Sequence, residues 1–242
     1  MFDQTFVAVM LAAVAACGVT TLGIHLVSRR ERWARSHSIH FISFAAGMLL
    51  SVTVLHLVPE ALATGGAAAW LILAGFLAIY LLNRLLHLYF GESRKEAPLG
   101  LIPMLGIGLH SFIDGWIYSV TFSVEIFTGV LAAIGMILHE LPEGIIVYVA
   151  LQRGRYQGRR AWWYAFLAAA VTTPAGALIS YPVAGLVSEA ALGGMLALSA
   201  GVLLYVAAAH LLPQVERENR PVSTLFFGAG VLLAVTIILL AH

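Results

Sequence analysis

Charge is what this sequence has least of. Only 10% of its 242 residues are Asp, Glu, Lys or Arg, against about 25% in a soluble domain. That is too little to coat a water-facing surface, so the outer surface must meet lipid. Cysteine is almost absent as well. Cys17 is the single one, which excludes an intrachain disulfide and any CxxC metal knuckle. It sits in an apolar run and reads as a small packing residue. The net charge is +1, and no basic patch is interleaved with aromatics, so nucleic acid is not an expected partner. The first twenty residues have neither a basic n-region nor an A-x-A cleavage pattern. They read as a first membrane span and not as a removed leader.

What the chain does have is apolar length. It is 61% hydrophobic, with a mean hydropathy of +0.94. A membrane-crossing helix needs about 20 apolar residues, because it rises ~1.5 Å per residue across a ~30 Å core. Eight such runs are present: Thr5–Val27, Ile39–Leu62, Ala67–Phe90, Leu99–Thr121, Ile126–Leu151, Ala161–Ala184, Ala190–Leu212 and Val222–Ala241. Short connectors separate them and leave no room for a soluble domain. The expected fold is all-α: one polytopic domain over residues 1–242, with eight transmembrane helices.

The charges orient the bundle. Arg29, Arg30, Arg32 and Arg35 follow span one. Arg84, Arg94 and Lys95 lie at the end of span three or after it. Arg153, Arg155, Arg159 and Arg160 follow span five, and Arg217 and Arg220 follow span seven. These are all 13 Lys and Arg in the chain. By the positive-inside rule those four connections are cytoplasmic and both termini are outside.

A charged group at the bilayer centre costs several kcal/mol, so it usually has a partner or a function. Span four contains His110-Ser111-Phe112-Ile113-Asp114-Gly115, and span five contains His139-Glu140-Leu141-Pro142-Glu143-Gly144. Both read His-x-x-x-carboxylate-Gly near mid-span. Residues i and i+4 project from one helix face, one turn apart. Two such helices face to face offer two imidazoles and two carboxylates. That set suits Zn²⁺ and is acceptable for Fe²⁺, Mn²⁺ or Cd²⁺. Two carboxylates would also cancel the ion's double charge, which makes its burial tolerable. Ser111 and Glu140 hold the matching second positions, as ligands of a second ion or as supports of the first. The competing reading is a His–carboxylate hydrogen bond on each helix, made only for packing. Pro142 frees the carbonyl of Leu138, and Gly115 and Gly144 permit close helix approach.

A second pattern ends two other spans. His56-Leu57-Val58-Pro59-Glu60 closes span two, and His210-Leu211-Leu212-Pro213-Gln214 closes span seven. Similar segments in oppositely directed helices are what an inverted repeat of spans 1–3 and 6–8, around central spans 4–5, would leave. On this reading His56 and Glu60 line the entrance and His210 the exit; an interfacial histidine followed by a proline stop is the plainer alternative. Met48 in span two offers a soft sulfur to the pathway, and Thr172, Thr173 and Pro174 interrupt span six. His25, His37, His40 and His87 lie at cytoplasmic ends, Asp3 and His242 at the termini, and Glu125 and Glu189 in outer connections.

Over essentially its whole length the chain resembles the ZIP (Zrt/Irt-like) family of metal transporters. HSFIDG and HELPEG resemble that family's paired motifs, HNxPEG or HNxxDG followed by HExPEG or HExPHE. The HLVPE and HLLPQ endings are similar to the family's too. The resemblance implies a transport site on the motif-bearing helices, often binuclear. Its primary ligands here are His110, Asp114, His139 and Glu143, with Glu140 shared with a neighbouring site. The implied cargo is Zn²⁺, Fe²⁺, Mn²⁺ or Cd²⁺, moved toward the cytoplasm by alternating access. There are departures. Ser111 stands where Asn is common, span six has no Glu, and no histidine-rich stretch follows span three. The compact form resembles bacterial members, which implies an inner membrane. The expected partners are the divalent ion and the lipid bilayer, and a homodimer is admitted.

Two other functions compete. An intramembrane zinc hydrolase needs an activated water and a general base. His139-Glu140 begins like HExxH, but Glu143 stands at the fifth position and breaks that signature. A proton-linked carrier of a small solute would use the same residues as a relay.

Overall fold

The computed structural model describes residues 4–65, 67–124, 126–218 and 221–241. Asp3, Glu125, Arg220 and His242 lie outside them. Eight long helices account for nearly all of these residues: α1 (Gln4–Ser28), α2 (Ser38–Ala63), α3 (Ala68–Phe90), α4 (Ala97–Val124), α5 (Ile126–Arg153), α6 (Gly158–Leu186), α7 (Glu189–Arg217) and α8 (Pro221–Ala241). The described residues contain no strand. Among the described residues, seven of the helices, α1–α4 and α6–α8, are long and apolar enough by composition to cross a membrane. α5 carries His139, Glu140 and Glu143 in its middle. Each helix matches one expected span. The largest departure is α7, expected to end at Leu212 and running to Arg217. A short helix, Glu31–Ser36, sits in the connection between α1 and α2.

In hydrocarbon every backbone polar group must be satisfied internally, which is why the spans are helical. The outward surface is correspondingly apolar. Trp70, Leu73, Leu77, Leu81, Leu85 and Leu88 of α3 are all exposed. Such a face suits lipid and not water.

Three helices are not regular. π-helical turns occupy Thr53–Leu57 in α2, Phe166–Ala170 in α6 and Tyr205–Leu211 in α7. Each lies just before a proline: Pro59, Pro174 and Pro213. A proline cannot donate to the carbonyl four residues back. Those carbonyls belong to Leu55, Ala170 and Ala209, all inside the widened turns. The local change of helix pitch absorbs the missing bond. Pro103 and Pro142, in contrast, sit within α-helical turns of α4 and α5.

The helices pack as two groups. α1, α4, α5 and α6 lie against one another, as do α2, α3, α7 and α8, and contact between the groups is sparser. Besides the antiparallel α4–α5 pair, four tight pairs dominate: α1–α5, α4–α6, α2–α8 and α3–α7. Each of these four runs parallel, and each is closed by a reciprocal glycine contact. A Cβ on Gly23 would strike the carbonyl of Leu141, and one on Gly144 that of Thr20. Gly115 and Gly176 relate in the same way to Thr173 and Phe112. So do Gly47 and Gly230 to Phe227 and Phe44, and Gly75 and Gly201 to Leu198 and Ile72. Absent side chains let the two backbones meet, the device membrane helices use where lipid offers no hydrophobic drive.

Candidate metal centre

The centre forms where α4 and α5 pack at mid-length. His110 and Asp114 are one turn apart on α4, and His139 and Glu143 one turn apart on α5. Asp114 Oδ2 lies 3.6 Å from His110 Nε2 and 3.1 Å from His139 Nε2. Glu143 Oε1 lies 3.4 Å from His110 Nε2. The two imidazole centroids are 5.7 Å apart. His110, Asp114 and Glu143 are buried, and His139 is the most accessible of the four.

These separations have a chemical reading. Zinc holds nitrogen and oxygen ligands at about 2.0–2.1 Å in a tetrahedron, so neighbouring ligand atoms stand roughly 3.3 Å apart. The observed 3.1, 3.4 and 3.6 Å bracket that edge. His110, Asp114 and His139 form the one group of three such residues, among those described, whose donor atoms converge. Glu143 joins it through His110.

The surrounding groups orient these side chains. His110 Nδ1 lies 3.0 Å from Ser199 Oγ of α7. With Nδ1 protonated and donating to Ser199, Nε2 keeps its lone pair and faces the centre. Ser111 Oγ lies 2.9 Å from the Ile107 carbonyl and 3.3 Å from Glu143 Oε2, so its one proton is shared between them. Glu140 is fully buried but turned elsewhere. It accepts hydrogen bonds from Thr20 of α1 and from Thr173 of α6, the latter at 3.2 Å. One carboxylate thereby joins three helices of the same group.

The remaining sequence-selected residues are not in this cluster. Met48 is buried in α2, with its backbone against Gly230 of α8. His56 and Glu60 pair at 3.5 Å near the end of α2, each about half exposed. His210 is buried in α7 against the backbone of Leu99, and its Nε2 has no hydrogen-bond partner among the described residues. Both His56 and His210 stand in the π-helical turns that precede a proline. Sequence reading passed over Ser199 and Thr20. Each is a small hydroxyl in an apolar span and leaves no periodic signal.

Ser199 carries a testable load. Ser199→Ala removes the acceptor that fixes the His110 tautomer, and zinc affinity is expected to fall roughly tenfold, at the lower end of such outer-shell effects. A zinc titration of the purified variant measures it, and wild-type affinity would remove Ser199 from this role.

An all-helical membrane bundle with a His–carboxylate cluster at mid-depth defines an integral membrane protein with a centre suited to a divalent metal. A family model described as ZIP Zinc transporter matches residues 93–240, more than half of the chain. The protein belongs to this ZIP family. Among its relatives, zinc transporter ZIP4 of Homo sapiens is 32% identical over 156 residues, 62% of this chain and 24% of that one. Zinc transporter ZIP13 of Pongo abelii is 27% identical over 225 residues, covering 83% of this chain and 64% of its own. Zinc transporter ZupT of Escherichia fergusonii is 24% identical over 240 residues, 92% and 93% of the two chains. The chain thus spans about a quarter of the length of ZIP4.

Proposed function

We propose that this protein carries divalent metal ions, zinc first, across a membrane through His110, Asp114, His139 and Glu143. It is a transporter and not an enzyme. The observation that carries the reading is the convergence of Asp114 Oδ2 with two imidazole nitrogens at 3.1 and 3.6 Å, inside the membrane-spanning bundle. The family membership and the printed names of its relatives support zinc as cargo. Two imidazoles and two carboxylates would also admit Fe²⁺, Mn²⁺ and Cd²⁺. Ser111 would steady Glu143. Glu140, with both oxygens engaged by threonines, would position α5 or ligate a second ion at the α1–α6 side.

One domain, residues 1–242, would perform the cycle. The arginine-bearing connections support a cytoplasmic side for the α1–α2, α3–α4, α5–α6 and α7–α8 turns, with both termini outside. The likeness to ZupT supports a bacterial inner membrane. Packing partners interchange under the exchange of α1–α3 with α6–α8 and of α4 with α5: α2–α8 becomes α7–α3, and α1–α5 becomes α6–α4. This supports an inverted repeat. The α1, α4, α5 and α6 group carries every ligand, so its movement against the other group would alternate access.

On this orientation Tyr118 and Phe122, outward of Asp114, fill the bundle and close that side. Toward the cytoplasm, the Gln152 amide, His210 Nε2 and Gln214 Oε1 are buried without hydrogen-bond partners among the described residues. Such atoms normally find partners, and a passing hydrated ion would supply them. His56 and Glu60 would meet the ion first. His56→Ala and His210→Ala are each expected to slow zinc uptake severalfold while leaving zinc affinity near wild type; unchanged uptake in both removes them from the path. Because ligands must shed protons to bind, acidification should weaken zinc binding.

Proteoliposomes loaded with a metal-sensitive dye test the proposal. Saturable Zn²⁺ uptake is expected, with Fe²⁺, Mn²⁺ and Cd²⁺ competing. Metal-independent uptake of a small organic solute would favour the carrier alternative, and peptide or lipid hydrolysis the enzyme.

A further inference from the structure

A polar cavity opens at the arginine-bearing end of the bundle, away from the metal centre. It measures about 440 Å³ and lies between the α3–α4 connection and the α5–α6 connection. Arg94, Arg155 and Arg160 line it together with Ser93, Tyr156 and Gln157, and Glu96 is its only carboxylate. Arg155 Nη2 lies 3.4 Å from Glu96 Oε1, bridging the two connections. Arg94 and Arg160 have no carboxylate partner among the described residues. Three cations against one anion leave the cavity with a surplus of two positive charges.

The backbone on one side of the cavity is fixed by the cap that ends α5. Arg155 has φ +66°, and it is the only described non-glycine residue with a positive φ. A bulky side chain adopts that region only when its surroundings over-determine it. Here they do. Gly154, Arg155 and Tyr156 each donate a backbone hydrogen bond to the last turn of α5, at 2.9, 3.1 and 2.9 Å. Gly154 also packs backbone to backbone on Gly100 of α4. Those three N–H groups are therefore spent, and the arginine side chains are donors that line the cavity. The Tyr156 phenol is held above its ordinary pKa chiefly by burial and by Tyr164, with Arg94 pulling it back. It stays neutral and can donate.

Depth decides the ligand class. Tyr156 packs against Tyr164 at 5.5 Å, and the neighbouring Trp163 and Tyr164 are exposed. Exposed Trp and Tyr at a helix end mark the headgroup level of a bilayer. Basic pockets between spans at that level bind anionic lipid headgroups, and guanidinium pairs fit phosphate oxygens.

We propose that this cavity binds a phosphate-bearing anion, and that at this depth it is the headgroup of an anionic phospholipid. The phosphodiester is held by Arg94, Arg155 and Arg160. Glu96 competes with it for Arg155. The site joins the α3–α4 connection to the α5–α6 connection and the first turn of α6.

Native mass spectrometry of the full chain in detergent, with mixed phosphatidylglycerol and phosphatidylcholine added, tests the proposal. Wild type is expected to retain phosphatidylglycerol preferentially. Each arginine beside an anionic headgroup is worth roughly fivefold in affinity, so Arg94→Gln/Arg155→Gln/Arg160→Gln together should lose at least tenfold. Glu96→Gln should bind more tightly, a gain that a damaged fold does not produce. Equal retention by wild type and the triple variant, or weaker retention by Glu96→Gln, overturns the site. A thermal-shift arm in phosphatidylcholine nanodiscs separates the sources. Protection by added phosphatidylglycerol but not by millimolar inorganic phosphate is expected. Protection by inorganic phosphate alone overturns the lipid assignment.

Discussion

Asp114→Ala is expected to abolish measurable zinc binding while leaving a folded protein. Asp114 Oδ2 is the atom on which both imidazoles converge, at 3.1 Å from His139 and 3.6 Å from His110. Removing it deletes a ligand and half of the negative charge that balances the ion. Changes to residues that merely support a ligand weaken metal binding about 10–100-fold, so loss of the central ligand should exceed that range. Asp114→Asn keeps the volume but not the charge and should fail nearly as badly. The fold should survive, because two neutral imidazoles tolerate burial better than an unpaired carboxylate would. The readout is thermal unfolding with and without zinc. A ligand at a hundredfold excess over its Kd stabilises the folded state by about 2.7 kcal/mol. Wild type should show that rise, and both variants should show none. A zinc-dependent rise in Asp114→Ala would move the site elsewhere.

Gly115→Leu is expected to prevent recovery of folded protein. At Gly115 the missing Cβ faces the Thr173 carbonyl, the Ala177 nitrogen and the Gly176 carbonyl carbon, all backbone. No rotamer change on α6 can relieve that clash. Gly176 meets the Phe112 carbonyl in the same way, so the seam is locked from both sides. Even Gly115→Ala overpacks it, at a cost of about 1–3 kcal/mol. The damage would reach the centre, since α6 brings Thr173 to Glu140. Gly228→Ala is the control, because nothing lies within 4 Å of a Cβ built there. Size-exclusion profiles and thermal midpoints of the three variants give the comparison. A Gly115→Ala midpoint equal to that of Gly228→Ala would contradict the seam.

Much of this was legible in the sequence, and the legible parts share a cause. A bilayer imposes one length on every span, so eight apolar runs translate directly into eight helices. His110 with Asp114, and His139 with Glu143, announce themselves because ionisable groups are rare in apolar spans and i, i+4 spacing fixes their face. Partnership between helices leaves no such mark. Gly144 is marked as a point of close approach by the motif it ends, but Gly23, which closes the same seam, looks like any small residue until the opposing carbonyl is known. Ser199 and Thr20 are invisible for the same reason, as their roles depend on which helix lies opposite. The π-helical turns sit between these cases. Pro59, Pro174 and Pro213 signal a missing hydrogen bond, yet Pro103 and Pro142 carry the same signal without a widened turn. Whether a helix widens depends on its neighbours, which one sequence does not name. In the sequence the arginines of the connections signal only topology. Their gathering into a cavity required the fold of two separate connections.

The most direct test of the central claim is zinc uptake into proteoliposomes by wild type and by the His110→Ala/His139→Ala double variant, reconstituted at equal density with a zinc dye inside. The account predicts saturable uptake by wild type and none above empty liposomes by the variant, which should still reconstitute as a folded protein. Equal uptake by both would contradict a transport site on α4 and α5.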